Sequence, residues 1–114
     1  MKPSHTAPPI MHSSLGVDIL EWKKAKKFYE THADKLHEIF TPLERRFVRA
    51  AAKPYEAFAM IFAAREAVFK ALGRACNVIP ATAMRFKVSG RPRLAVTIRK
   101  DRRHVIACCH KSSS

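Results

Sequence analysis

Two acids and a lysine have the residue types and spacing for chemistry on phosphate groups. Glu66 and Lys70 lie one helical turn apart in the segment FAAREAVFKALG, residues 62–73, and Asp18 stands in the apolar run LGVDIL, residues 15–20. Carboxylates can hold a divalent cation, and a neighbouring lysine can neutralise phosphate oxygens. The helix alone favours a simpler explanation, an i,i+4 ion pair on a solvated face. Asp18 is the observation that favours a site.

The charge of the chain indicates an acidic partner. Its 114 residues include 22 Lys and Arg against 9 Asp and Glu, a formal net charge of +13. Such a surface favours nucleic acid, anionic lipid, a phosphorylated cofactor or an acidic protein. Composition does not choose among these classes.

The cysteines and the N-terminal segment predict a cytoplasmic protein without a membrane span. Cys76, Cys108 and Cys109 are odd in number and show no zinc-binding spacing, which favours reduced thiols over a disulfide framework. Residues 1–14 contain prolines and polar residues where a secretory signal needs an apolar run. We predict a disordered tail over 1–14, one domain over 15–110 and a frayed end over 111–114.

The elements that must position the acids follow from hydrophobic periodicity. The pattern predicts a strand over 15–20 and a lysine-rich helix over 22–40. Thr41, Pro42 and Glu44 predict a capping box that begins a second helix, which ends near residue 52. The third helix covers 55–72 and ends at Gly73.

The last third of the chain has a different pattern. Short β-like runs cover 84–88, 94–98 and 104–109, separated by polar turns at 89–92 and 99–103. The chain is therefore predicted to be α+β, with one early strand, helices and then an antiparallel meander.

Three motifs together are specific. They are GVDILE at residues 16–21, FTPLE at 40–44, and the segment 55–73 that ends in FAAREAVFKALG. In order and spacing they resemble the holo-acyl-carrier-protein synthases, bacterial members of the 4′-phosphopantetheinyl transferase family. The resemblance covers 15–73 and continues more weakly through 90–94 and 96–107.

The resemblance implies an enzyme that moves 4′-phosphopantetheine from coenzyme A to a serine of apo acyl carrier protein, in fatty acid and lipid metabolism. Adenosine 3′,5′-bisphosphate is released, Mg²⁺ is required, and the site lies between subunits of a homotrimer. By this resemblance Asp18 and Glu66 are catalytic metal ligands, and Lys70 is catalytic and binds the pyrophosphate. Glu21 matches a second acid that orients its neighbours.

The resemblance also implies binding residues. Beside Lys70, contacts to coenzyme A are expected from Gly73, Arg65 and Pro92. Arg91 and Arg99 are added by their charge and position alone, as contacts to the 3′-phosphate of coenzyme A. The acidic carrier is expected to dock on Lys23, Lys24, Lys26 and Lys27, for which a merely solvated lysine-rich face is the alternative.

The C-terminal half departs from the family pattern. The helix that usually separates the equivalents of 90–94 and 96–98 is missing, and Arg65 stands where lysine is common. One alternative is therefore a degenerate paralogue that binds carrier protein or coenzyme A without turnover. A basic nucleic-acid-binding module is the other, although such a module has no need for Asp18 and Glu66.

Overall fold

The first half of the chain is a strand followed by four helices. The computed structural model describes residues 14–112. Strand β1, Ser14–Glu21, leads directly into α1, Trp22–His32. A single 3₁₀ turn, Ala33–Lys35, separates α1 from the short α2, Leu36–Ile39. Helices α3, Pro42–Ala50, and α4, Pro54–Leu72, complete the half.

The continuous helix predicted over 22–40 is therefore interrupted. Near the end of α1 the Thr31 hydroxyl bonds the Lys27 carbonyl, and the His32 ring bonds the Phe28 carbonyl. Side chains that bond the last carbonyls compete with the helical ladder, and threonine and aspartate are weak helix formers. The interruption lies where these residues gather.

The predicted start of α3 and the predicted end of α4 are confirmed. The Glu44 amide donates to the Thr41 hydroxyl at 3.2 Å, and the Thr41 amide donates to Glu44 Oε1 at 2.9 Å, which completes the capping box. Helix α4 ends at Gly73, whose φ of +73° is the left-handed conformation that favours glycine. No helix among residues 14–112 is long and apolar enough to cross a membrane.

The second half forms the rest of one antiparallel sheet. Its strands are β2, Val78–Thr82, β3, Arg85–Val88, β4, Arg91–Lys100, and β5, His104–Lys111. The order is β1-β5-β4-β3-β2, so the first strand of the chain lies at one edge. The α+β prediction is confirmed.

Two details of the strands differ from prediction. Strand β2 was not predicted as a separate strand. It contains Pro80, which its edge position tolerates because proline lacks an amide donor. Strand β4 includes Arg91 and Pro92, which were assigned to a turn. It also runs without interruption through residues 94–96, where the family pattern places a further helix.

The helices cover only one face of the sheet. Alternate residues such as Val96, Ile98 and Cys109 belong to the core beneath α4. The opposite face, which we call the open face, carries Leu15, Ile19 and Ile79, and Ile19 is 60% exposed. Cys108 and Cys109 are free thiols in β5, and burial raises the pKa of Cys109 to about 11.

The predicted ends of the domain differ slightly from the ends of its first and last strands. Strand β1 begins at Ser14 and β5 ends at Lys111, so each extends one residue beyond the predicted domain of 15–110. The rest of the predicted tail, and the last two residues of the predicted frayed end, lie outside the described residues.

Candidate active site

Close packing of β1 on α4 brings Asp18 to Lys70. A Cβ atom on Gly16 would collide with the carbonyl oxygen of Ala67 and lie 2.8 Å from the amide nitrogen of Ala71. The strand therefore lies directly on the helix, and only glycine fits at this contact. Two residues further along the same face of β1, Asp18 Oδ1 accepts a bond of 2.9 Å from Lys70 Nζ.

The pair of Asp18 and Lys70 is partly buried. The Asp18 side chain is 13% exposed and that of Lys70 is 53% exposed. The carboxylate is thus sheltered between strand and helix, while the ammonium group is open to solvent. One carboxylate oxygen of Asp18 has no bond to any described residue.

Glu66 lies one turn before Lys70 on the same side of α4. Lys70 pairs with Asp18, and the Glu66 side chain has no hydrogen bond or ion pair with any residue of 14–112. The simple Glu66–Lys70 ion pair is therefore not formed. A half-buried carboxylate without a partner, beside an acid and a lysine that are paired, is suited to bind a cation.

The donor set suits a hard divalent cation only if the cation takes part of its ligands from elsewhere. Among residues 14–112 there is no group of three or more His, Cys, Asp and Glu side chains that could hold a metal ion. Mg²⁺ is commonly held by one or two carboxylates together with phosphate oxygens and water. Asp18 and Glu66 fit that pattern when a phosphate substrate is present.

Arg65 contacts a buried acid in this structure. Its guanidinium donates to Glu44 Oε1 at 2.9 Å and to the Ile39 carbonyl at 2.8 Å, and it lies over the Phe40 ring. Glu44 is fully buried and also accepts from the Val78 amide at 3.0 Å. Its carboxylate therefore connects α3, α4 and β2. The role of Arg65 in coenzyme A binding stays a prediction.

Arg91 and Pro92 lie far from Asp18 within one chain. Asp18 is aligned with Ala107 of β5, and Ala107 with Ile98 of β4. Arg91 precedes Ile98 by seven residues on that strand, which is roughly 23 Å at about 3.3 Å per residue. With Arg85 and Lys87, Arg91 and Pro92 line a cleft of about 370 Å³.

The remaining predicted cofactor residues are also separated. Arg99 is aligned with Ile106, and Ile106 with Ile19, so Arg99 belongs to the open face and Asp18 to the covered face. Gly73 lies one residue after α4, with open space around it. The structure thus brings Asp18 and Lys70 together, with Glu66 beside them. Arg65, Arg91 and Arg99 lie in separate parts of the molecule.

The four predicted docking lysines of α1 have different surroundings. Lys24 lies at a small apolar pocket of about 130 Å³, whose other lining residues are Leu20, Ala25, Phe28, Phe58 and Phe62. Lys26 lies over the Tyr55 ring at 5.4 Å. Lys23 and Lys27 are exposed.

Sequence reasoning missed the apolar pocket at Lys24, the cleft around Arg85 and the bonds of Glu44. The capping box predicted the contact of Glu44 with Thr41. The other partners of Glu44 are Arg65 and Val78, which are 21 and 34 residues away along the chain. The packing role of Gly16 was missed as well, although the glycine beside the acid was a usable signal.

Comparison with known proteins gives a consistent result. A model of the 4′-phosphopantetheinyl transferase superfamily matches residues 14–113. Holo-[acyl-carrier-protein] synthase of Chlamydia trachomatis serovar L2 is 45% identical over 60 residues, 52% of this chain and 50% of that protein. The Chlamydia caviae protein of that name is 42% identical, with 52% and 49% covered.

A bacterium of another genus gives a similar match. Holo-[acyl-carrier-protein] synthase of Desulforudis audaxviator is 47% identical over 60 residues, 52% of this chain and 46% of that protein. The chain spans about half the length of the curated relatives it matches.

Proposed function

The chain belongs to the 4′-phosphopantetheinyl transferase superfamily, and we propose that it transfers the phosphopantetheine arm of coenzyme A to a serine of an apo acyl carrier protein. The observation that carries the proposal is the paired Asp18 and Lys70 with the unpartnered Glu66 one turn away. The carboxylates of Asp18 and Glu66 can bind a cation, and the exposed ammonium group of Lys70 can bind the pyrophosphate of the substrate.

The reaction is a phosphoryl transfer. The serine oxygen bonds to the phosphorus that carries the pantetheine arm and gives up its proton. The bond between that phosphorus and the bridging oxygen breaks, and its electron pair leaves with adenosine 3′,5′-bisphosphate. Catalysis of this kind depends on positioning and on neutralising the charge of the transferred and leaving oxygens.

Asp18 and Glu66 would hold Mg²⁺, which when bound neutralises pyrophosphate oxygens. Asp18 is oriented by its bond to Lys70, and Glu66 by a helix that is buried on most sides. Lys70 is exposed enough to bind the pyrophosphate while it remains beside Asp18. The chain therefore supplies one fixed acid, one free acid and one cation to the same side of α4.

We also propose that the far end of coenzyme A is bound by a second copy of the chain. Arg91 is too distant from Asp18 to bind the same coenzyme A within one subunit, and Arg99 belongs to the other face of the sheet. In an assembly, a homotrimer by the family resemblance, a neighbouring subunit would supply such residues at Asp18, which lies on the edge strand β1. Leu15 and Ile19, exposed on the open face of the same strand, support the assembly.

The carrier is proposed to dock beside Lys24. The apolar pocket there begins at Leu20, on the same face of β1 as Asp18 and two residues further on, so a carrier side chain in the pocket would lie close to the reacting serine. Lys24 at the pocket suits an acidic carrier, and such docking is sensitive to salt.

Lys24 and Lys26 provide a matched test of that docking. Lys24→Ala is expected to raise KM for the carrier about twofold to fivefold, since an exposed charge contact is worth up to about 1 kcal/mol. Lys26→Ala makes the same charge change on the Tyr55 side of the helix and is expected to have a smaller effect. Equal increases in KM for the carrier in the two variants, measured by steady-state kinetics, would argue for a general effect of net charge instead.

The test of the whole proposal is intact-mass spectrometry of an apo carrier incubated with the chain, coenzyme A and Mg²⁺. We expect the carrier to gain one phosphopantetheine group, and EDTA or Asp18→Ala to abolish the gain. Asp34→Ala removes an exposed acid outside the site and should leave the gain intact. Binding of coenzyme A without any gain would favour a degenerate paralogue.

A further inference from the structure

The turn between β4 and β5 carries exposed cations next to the start of α1. Arg102 and Arg103 are exposed, and with Lys23 they line one shallow cleft of about 520 Å³. Glu21, Trp22 and His104 complete its lining. No ion pair joins either arginine, or Lys23, to any described acid.

The turn is fixed to α1 by main-chain and ring bonds. The Trp22 amide donates to the Arg103 carbonyl at 2.9 Å, and the Trp22 ring nitrogen donates to the Asp101 carbonyl at 2.8 Å. Within the turn, Asp101 Oδ1 accepts from the amides of Arg103 and His104, both at 2.7 Å. These bonds hold the backbone and leave both guanidinium groups unused.

Several other cations of the described chain are engaged by an acid or an aromatic ring. Lys70 is paired with Asp18, Arg65 with Glu44, and Lys100 with Glu56, while Lys26 lies over Tyr55. The turn arginines continue the surface of Lys23 and Lys27, which lie one turn apart on the exposed side of α1. A preorganised set of unpaired cations suits an acidic partner.

We propose that the Arg102–Arg103 turn is a second contact surface for the acidic carrier protein, continuous with Lys23 and Lys27 on α1. The inference rests on the proposed transferase function. The surface is open rather than a pocket, which suits a folded protein. Trp22 is partly buried, and no other Phe, Tyr or Trp lines the cleft, so the cleft lacks the series of aromatic rings on which successive nucleic acid bases stack.

The test compares two double variants with the same loss of charge. R102A/R103A removes the proposed contacts and keeps every bond of the turn, because those bonds use backbone atoms and Asp101. R46A/R49A removes two exposed arginines from α3, which packs near β2 at the opposite edge of the sheet. Steady-state kinetics at low and moderate salt give KM for the carrier and for coenzyme A separately.

We expect R102A/R103A to raise KM for the carrier roughly threefold to tenfold and to weaken its salt dependence, with KM for coenzyme A unchanged. The α3 variant should show a smaller change. Equal carrier KM values for the two variants would overturn the proposal, as would weakened binding of a labelled single-stranded oligonucleotide with unchanged carrier KM.

The two proposals fail in different ways. A wild-type chain that binds apo carrier without transferring the arm overturns the transferase proposal only. Carrier binding measured by calorimetry then tests the turn: weaker binding of R102A/R103A than of R46A/R49A supports it, and equal binding overturns it.

Discussion

Lys70 bonds to Asp18 rather than to Glu66, and this choice defines the chemistry available at the site. The bond orients a sheltered carboxylate on β1 and leaves the Glu66 carboxylate without a partner among residues 14–112. An acid that contributes no bond to the fold can be changed without disturbing it. Glu66 is therefore the residue at which activity and stability separate best.

Glu66→Gln is expected to lower kcat on the order of a hundredfold, because it removes a charge that the proposed reaction uses. The free energy of unfolding should change by less than about 0.5 kcal/mol, since no described bond is lost. Turnover kinetics and urea denaturation measure the two quantities. Glu38→Gln, at an exposed acid outside the site, is the control. A Glu66 variant that unfolds easily would contradict this assignment.

Gly16 determines how closely β1 approaches the helix that carries Lys70. Gly16→Ala is expected to cost roughly 1–3 kcal/mol of stability, because the new methyl group meets backbone atoms of α4 that cannot move aside cheaply. Activity should fall with it, since Asp18 follows Gly16 by two residues. An unchanged urea midpoint would mean that the strand and helix separate without cost.

At the scale of elements, α4 is held by contacts on both of its sides. Strand β1 packs against it at Gly16, and on another side Arg65 joins it to the buried Glu44. Glu44 accepts bonds from the Thr41 amide, the Val78 amide and Arg65, so one carboxylate joins three elements. The helix that carries Glu66 and Lys70 is thereby fixed relative to α3 and β2.

Glu44→Ala is expected to cost about 3 kcal/mol or more in the free energy of unfolding, because a buried arginine contact and a buried amide lose their acceptor. Glu56 occupies the same position in the first turn of α4 but pairs with the exposed lysines 53 and 100. Glu56→Ala should therefore cost less than about 1 kcal/mol. Urea denaturation of both variants checks the difference, and equal losses would contradict it.

At the scale of the whole molecule, the uncovered face of the sheet is the main unexplained feature of a single chain. The helices cover the other face, and Leu15, Ile19 and Ile79 remain exposed. The predicted coenzyme A residues Arg91 and Arg99 do not reach Asp18 within one subunit. The proposed site shared between copies would account for both observations.

Subunit complementation tests the shared site. Asp18→Ala and Arg91→Ala are each expected to be nearly inactive alone at limiting coenzyme A. If the site combines residues of two copies, mixed assemblies regain activity, because some sites receive Asp18 from one chain and Arg91 from the other. Refolding the two variants together and assaying transfer measures this. No recovery, with mixed assemblies verified by native mass spectrometry, would place each site within one chain.

Local chemistry explains why part of this protein could be predicted from its sequence. The capping box at Thr41 and Glu44, the helix end at Gly73 and the late β-runs depend on residues within a few positions of one another. The three motifs likewise indicated the family, and the superfamily match confirms it. Asp18, Glu66 and Lys70 were named from the sequence, and their catalytic roles stay predictions.

Only the tertiary structure decided which of those residues meet. Asp18 and Lys70 are 52 residues apart, and their contact depends on a glycine that lets a strand lie on a helix. The same holds for strand β2, the partners of Glu44 and the open face of the sheet. Long-range contacts of this kind are selected by how whole elements pack, whereas the sequence specifies mainly the elements and the chemical groups they carry.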